Sequence, residues 1–324
     1  MRLGRRAGRI PADLGVPEAY PESWLYPIEG RWLKQLRSDA DRALELGMRP
    51  GVFAKVGDSN LLGYNSLYGL GCREPVWGEH EELEPVMRRY RQVELPPGGD
   101  IDFVHCPDAA DRRPWNSFSR VTAAAMMGIV AAHLVNPREQ IPDRPTWWRD
   151  DPDRLPGESA IETEVRLVRP LFAFVQIGTN GLNYGNSPRE TADAAADLIK
   201  RVRRLGPVPV LLNLTPQLNH PATPPRWEFA EETAGLMAEV AARERVPLVN
   251  LWLPLATGDF ENHGLVGEDG VIFDGVHLDT FGGFDAPDAL GKSVDFRPEA
   301  LKYGTNYRNL VVLKVLEELD RLVS

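Results

Sequence analysis

Apolar and polar positions fall into two regimes along this chain. From Arg166 onward, short continuous apolar runs alternate with longer amphipathic stretches. Leu171-Phe172-Ala173-Phe174-Val175-Gln176-Ile177 is the first such run, Val208 to Leu214 the second and Pro247 to Trp252 the third. Between them, Arg189 to Arg204 and Glu228 to Arg243 read as amphipathic helices. Apolar strands without polar alternation, separated by helices, predict a parallel sheet covered on both faces. A terminal helix is expected from about Glu299 to Leu322. The first half is less regular. Gly30 to Leu46 carries Trp32, Leu33, Leu36, Ala43 and Leu44 in a helix-like pattern, and Gly51 to Val56 reads as a short buried strand. From Ser59 to about Arg154 the chain is rich in Gly, Pro, Trp and charge, and only Arg120 to Leu134, dense in Ala, Met and Val, reads as a helix. The expected architecture is a three-layer α/β/α sandwich on a parallel sheet, with an elaborated amino-terminal half. Residues 1–49 are expected to be an extension packed on the domain, and 50–324 the domain itself, with insertions at about 64–118 and 278–298.

In open parallel sheets, ligands sit beyond the carboxyl ends of the strands. Gly57-Asp58-Ser59-Asn60 comes directly after the first strand, and Gly178-Thr179-Asn180-Gly181 directly after the central one. Asp274-Gly275-Val276-His277 lies in a loop before the last helix. Taken singly, each is a weak signal: the first is an ordinary turn sequence, Asn180 can simply cap the next segment, and Asp274 with His277 can be a surface loop or half a metal site. Together they supply what acyl transfer needs. A serine hydroxyl becomes a nucleophile when a base removes its proton, and a carboxylate must fix the tautomer of that base. His277 and Asp274 fit those two roles towards Ser59, and Asn180 offers an N–H to a developing oxyanion.

Gly57-Asp58-Ser59, Gly178-Thr179-Asn180 and Asp274-Gly275-Val276-His277 resemble the first, third and fifth blocks of the SGNH (GDSL-like) hydrolases, in the same order and strand contexts. The resemblance spans about residues 50 to 280 and implies a flavodoxin-like sheet. It also implies a catalytic triad of Ser59, Asp274 and His277, with no metal or organic cofactor. The family's second block supplies a glycine to the oxyanion hole, and Gly128 is the candidate here. The oxyanion hole would then be the backbone N–H groups of Ser59 and Gly128 with the Asn180 amide. Asn60 and Tyr184, each close to a block in sequence, are candidate substrate contacts. Gly181 departs from the pattern, since the family often has Asp there. No Gly-x-Ser-x-Gly elbow surrounds Ser59, which argues against an ordinary α/β-hydrolase.

These features predict a serine esterase. The favoured substrate is an O-acetylated carbohydrate, because the aromatics from Tyr64 to Trp148, among them Tyr68, Trp77, Trp115, Phe118 and Trp147, include faces suited to sugar rings. For most of them a core role is the simpler expectation. An acyltransferase would use the same residues, and a silent glycan-binding protein on the same scaffold is the alternative of another class. Composition narrows the partners: at 43% hydrophobic and 26% charged the chain can bury a sizeable core, and a net charge of -10 disfavours nucleic acid and anionic membranes. The arginines at 2, 5, 6 and 9 form too short a run to change this. No apolar stretch is long enough to span a bilayer, and no signal peptide is evident. That points to the cytoplasm, whereas the family resemblance points to export. Cys72 and Cys106 can pair in an oxidising compartment or remain two reduced thiols. The acidic residues Asp279, Asp285, Asp288 and Asp295 lack the alternation of a calcium loop and are expected to form a solvated loop.

Overall fold

The computed structural model describes residues 25, 28–63, 65–98, 115–141, 153–218, 226–257, 272, 274–283 and 287–324. Arg2, Arg5, Arg6, Arg9, Tyr64, Cys106, Trp147 and Asp285 lie outside the described residues. The elements run α1 (Gly30–Glu45), β1 (Arg49–Gly57), α2 (Ser59–Leu62), α3 (Tyr68–Cys72), α4 (Glu84–Arg91), α5 (Ala131–Val135), α6 (Ala160–Val168) and β2 (Pro170–Gln176). They continue with α7 (Pro188–Leu205), β3 (Val208–Leu212), α8 (Arg226–Glu244), β4 (Leu248–Val249), α9 (Trp252–Thr257), α10 (Ala289–Lys292) and α11 (Gly304–Val323).

The four strands are parallel and ordered β1-β2-β3-β4. A further segment pairs with the free side of β1 through a single parallel bridge, Gly57 with Ala125. Its hydrogen bonds run from Gly57 N–H to the Ala124 carbonyl (2.9 Å) and from Met126 N–H to the Gly57 carbonyl (3.0 Å). Counting that bridge as a vestigial strand, second in the chain, restores the flavodoxin order 2-1-3-4-5, and the order reverses at the end of β1. Helices α5, α6, α7 and α8 form one layer, while α1, α4 and α11 pack together on the other side. Every residue of β2 is buried, as two covered faces require. Phe53 of β1 meets Phe118, Phe174 and Tyr90 in tilted and edge-on contacts at ring separations of 5.1, 5.3 and 5.6 Å. Helix α7 starts where its sequence says it should: Ser187 caps Glu190 N–H, Glu190 bonds back, and Pro188 opens the first turn.

Two expectations are corrected. Arg120 to Leu134 is not a helix; only Ala131–Val135 is helical. The backbone there is committed elsewhere, to the Gly57 bridge and to the Thr122 hydroxyl, which donates to the Lys55 carbonyl at 2.9 Å. Arg120 is 1% exposed and its guanidinium meets Glu164 of α6 at 2.7 Å, an ion pair that no local helix accommodates. The acidic loop is not uniformly solvated. Asp279 and Asp295 are buried, with Asp295 held by Arg297 and the loop tied to α11 through Asn306, whose amide donates to the Lys292 and Asp295 carbonyls. Tyr68 and Phe118 are fully buried, and Trp77 and Trp115 pack on the core, so these aromatics are structural. Cys72 is disulfide-bonded.

Candidate active site

Strand β1 ends at Gly57, where a Cβ would lie 1.9 Å from the Gln176 carbonyl oxygen of β2, so only glycine fits. Asp58 then caps α2. One carboxylate oxygen accepts from Asn60 N–H (3.2 Å) and the other from Thr179 N–H (3.1 Å), joining the ends of β1 and β2. Asp58 is fully buried, and burial pushes its carboxyl up to about 6 against the pull of these hydrogen bonds.

Ser59, the first residue of α2, is 4% exposed. Its hydroxyl lies 2.8 Å from His277 Nε2, and His277 Nδ1 lies 2.6 Å from Asp274 Oδ2. The other Asp274 oxygen accepts the backbone N–H groups of Val276 (3.1 Å) and His277 (2.8 Å), which sets the turn. Burial raises the Asp274 carboxyl, but the His277 ring and these N–H groups outweigh it and hold the acid below its ordinary range. The carboxylate therefore stays ionised facing Nδ1, an arrangement in which Nε2 can serve as an acceptor towards the Ser59 hydroxyl.

A cleft of about 190 Å³ opens beside Ser59, lined also by Met127, Gly128, Asn180, Asn183, Arg226 and His277. Gly128 has φ +67, a conformation in which a side chain would be strained. Its carbonyl accepts the Tyr184 hydroxyl at 2.9 Å, and Asn180 Nδ2 donates to the next carbonyl, Ile129, at 3.1 Å. Neither the Ser59 nor the Gly128 backbone N–H meets an acceptor among the described residues.

Five of the seven candidate site residues of the sequence thus come together: Ser59, Asp274 and His277 in one hydrogen-bonded chain, Gly128 and Asn180 on the wall beside it. Asn60 and Tyr184 do not line the cleft. Asn60 is 2% exposed and its amide donates to Thr179 Oγ1 (3.1 Å) and the Val276 carbonyl (3.3 Å), tethering all three segments. Its own carbonyl accepts from the buried Arg308 of α11. Tyr184 is 46% exposed, and its ring meets His133 edge-on. Asp58, Asn183 and Arg226 are not among the sequence candidates. Arg226 has a signal all the same: an arginine opening a helix runs against the preference for acids there. Among the described residues, no group of three or more His, Cys, Asp or Glu gathers as metal ligands would.

The chain matches the model of the GDSL-like Lipase/Acylhydrolase family over residues 104–282, more than half of its 324 residues. That stretch holds Gly128, Asn180, Asp274 and His277, and begins after Ser59. No curated protein matches the sequence. Among solved structures, it is similar to a carbohydrate esterase of family 3 from Talaromyces cellulolyticus (14% identity, 84% of this chain and 99% of that one, TM-score 0.46). It is similar also to a peptidoglycan O-acetylesterase (10% identity, 93% and 99% covered, TM-score 0.47) and to a lipase/acylhydrolase from Enterococcus faecalis (12%, 82% and 95%, 0.43). The chain belongs to the GDSL-like lipase/acylhydrolase family and is an ester-hydrolysing enzyme.

Proposed function

We propose that Ser59 is the nucleophile of a two-step ester hydrolysis, with His277 as general base and acid and Asp274 as the carboxylate that orients it. The observation that carries this reading is the continuous chain Ser59 Oγ–His277 Nε2, His277 Nδ1–Asp274 Oδ2 at 2.8 and 2.6 Å. As Ser59 Oγ attacks the acyl carbon, its proton passes to His277 Nε2, and the carbonyl oxygen becomes an oxyanion. The N–H groups of Ser59 and Gly128 and the second N–H of the Asn180 amide receive that charge. Collapse expels the alcohol, which takes the proton from His277. Water then repeats the sequence on the acyl-enzyme and releases the acid.

A cleft of about 190 Å³ is small beside the several hundred Å³ of sites that enclose larger ligands, and it favours a short acyl group such as acetyl. The half-exposed Tyr184 ring, just outside the cleft, suits a sugar face, so an O-acetylated carbohydrate is the proposed substrate class. Incubation with a fluorophosphonate probe and peptide mapping is the direct test. Label is expected on Ser59, lost on denaturation and in His277→Ala. Ser59→Ala is expected to abolish turnover while leaving the thermal melt in place. A folded Ser59→Ala protein with normal esterase activity would rule the mechanism out.

A further inference from the structure

Among the described residues, the cleft holds one cation whose charge no neighbouring acid meets. Other described arginines end on carboxylates, as Arg120 does on Glu164, Arg166 on Glu158 and Arg203 on Asp39, or on backbone carbonyls away from the cleft, as Arg42 and Arg49 do. Arg226 does not. Its guanidinium donates to two neutral amide oxygens, Asn183 Oδ1 at 2.6 Å and Gln217 Oε1 at 3.4 Å. These bonds fix the guanidinium plane and leave N–H donors for a ligand. Arg226 is half-buried and shares the cleft wall with Ser59, Asn180 and His277.

Two further facts exclude an ordinary structural role. Arg226 is the first described residue of helix α8 (Arg226–Glu244), near the amino-terminal end, where a cation adds to the positive end of the helix dipole instead of opposing it. Helix stability is therefore no reason for an arginine at this position. Nor does the cleft neutralise it from within: no carboxylate lines it among the described residues, and Asp274 lies behind the His277 ring, already hydrogen-bonded to it. In a chain of net charge -10, a positive group held open to the reaction site is an attractor for a negative group on the substrate.

We propose that Arg226 recognises a carboxylate, and that the substrate is an ester carrying a carboxylate close to its acyl group. This rests on Ser59 being the nucleophile. A planar guanidinium grips a carboxylate through paired N–H···O bonds, with direction as well as charge. The carboxylate sits on the alcohol portion, as in an acetylated acidic sugar, because the cleft is sized for a short acyl group. The other source of the same chemistry is a dicarboxylic half-ester, with the acid on the acyl side.

The test compares kcat/KM for two matched pairs of esters in the wild type, Arg226→Gln and Arg226→Lys. The alcohol-side pair is meta-acetoxybenzoate and its methyl ester. The acyl-side pair is mono-para-nitrophenyl glutarate and para-nitrophenyl pentanoate. Using the anionic-to-neutral ratio within a pair cancels intrinsic reactivity between variants. For the alcohol-side pair the ratio is expected to fall about 10- to 100-fold in Arg226→Gln, the worth of one charge-assisted hydrogen bond, and less in Arg226→Lys. Added salt should erode the wild-type ratio and leave that of Arg226→Gln flat. A fall confined to the acyl-side pair would keep the carboxylate and overturn its assignment to the alcohol. Ratios in folded Arg226→Gln within about twofold of wild type for both pairs would overturn the proposal while leaving the esterase reading intact. Turnover that survives Ser59→Ala would overturn that reading and this proposal with it.

Discussion

At Asn180 two tasks meet on one side-chain amide. One N–H holds the Ile129 carbonyl at 3.1 Å, which steadies the Gly128 turn, and the other is the proposed oxyanion donor. Asn180→Ala removes both and is expected to lower kcat about 10²- to 10³-fold, the usual loss for one such donor. Asn180→Asp keeps the shape but sets a negative charge against both the carbonyl and the oxyanion, and should fall at least as far. A rise in KM with kcat unchanged in Asn180→Ala would mean that the amide binds ground-state substrate and not the oxyanion. Such polar residues are legible in the sequence because they directly succeed strands, where chain order and sheet edge coincide. Arg226 shows in the sequence only as a base at a helix start, because the rest of its meaning lies in which groups stand beside it, and a sequence does not record neighbours in space. Asn60 misleads for a related reason. Adjacency to Ser59 in the chain suggests substrate contact, whereas α2 turns its side chain inward to Thr179 and Val276.

Elements after Arg166 can be read in type and order, because a buried parallel strand needs a continuous apolar run and its covering helices need an apolar stripe. Their bounds shift, the last strand shrinking to Leu248–Val249 and the terminal helix starting at Gly304. The segment before α5 cannot. Its Ala, Met and Val content suits a helix, but the deciding interactions are long-range: Arg120 to Glu164 at 2.7 Å, and Ala123 N–H to the same carboxylate oxygen at 2.8 Å. Glu164 thereby nails the vestigial strand to α6, with both charged side chains 3% exposed or less. Glu164→Ala leaves a buried guanidinium without its counter-ion and should cost about 3–5 kcal/mol of stability, read from urea unfolding. A loss below about 1 kcal/mol would show that the segment rearranges freely around Arg120. Glu164→Gln retains hydrogen-bonding capacity and tests charge apart from shape.

For the molecule as a whole, Asp58 sets an unusual pH dependence. Its folded carboxyl titrates near 6 against an ordinary 3.8, so both states are protonated at low pH and there is no penalty. As pH rises through that interval the unfolded chain releases its proton first, and stability falls by about 3 kcal/mol in total once the folded carboxyl has also ionised. Glu158, held down to about 2 by Arg166, acts the other way, and its contribution is lost as pH falls from 4.5 towards 2. His80 and His133, both lowered by burial, act in the opposite sense to Asp58 over this range, so the Asp58 contribution is read as a difference. The Tm gain of Asp58→Asn over wild type should be larger near about pH 7.5 than near about pH 5. A Tm difference between Asp58→Asn and wild type that does not change over that range would contradict the assignment. The layered architecture itself is legible from strand–helix alternation, but the position of the segment around Ala125 beside β1 is not, since a single bridge leaves no strand-length pattern.

The hydrogen bond from Ser59 to His277 joins residues 218 positions apart, and Arg308 reaches the Asn60 carbonyl across 248. On the ribosome those separations become waiting times. At about 5–20 residues per second, Ser59 exists for on the order of ten to forty seconds before its proposed base is made. Throughout that interval the nascent chain carries a serine turn without a base to activate it or an arginine to pin it. On the proposed mechanism the protein is chemically mute while it is being built, and gains its reactivity only when the segment bearing His277 has emerged and folded back.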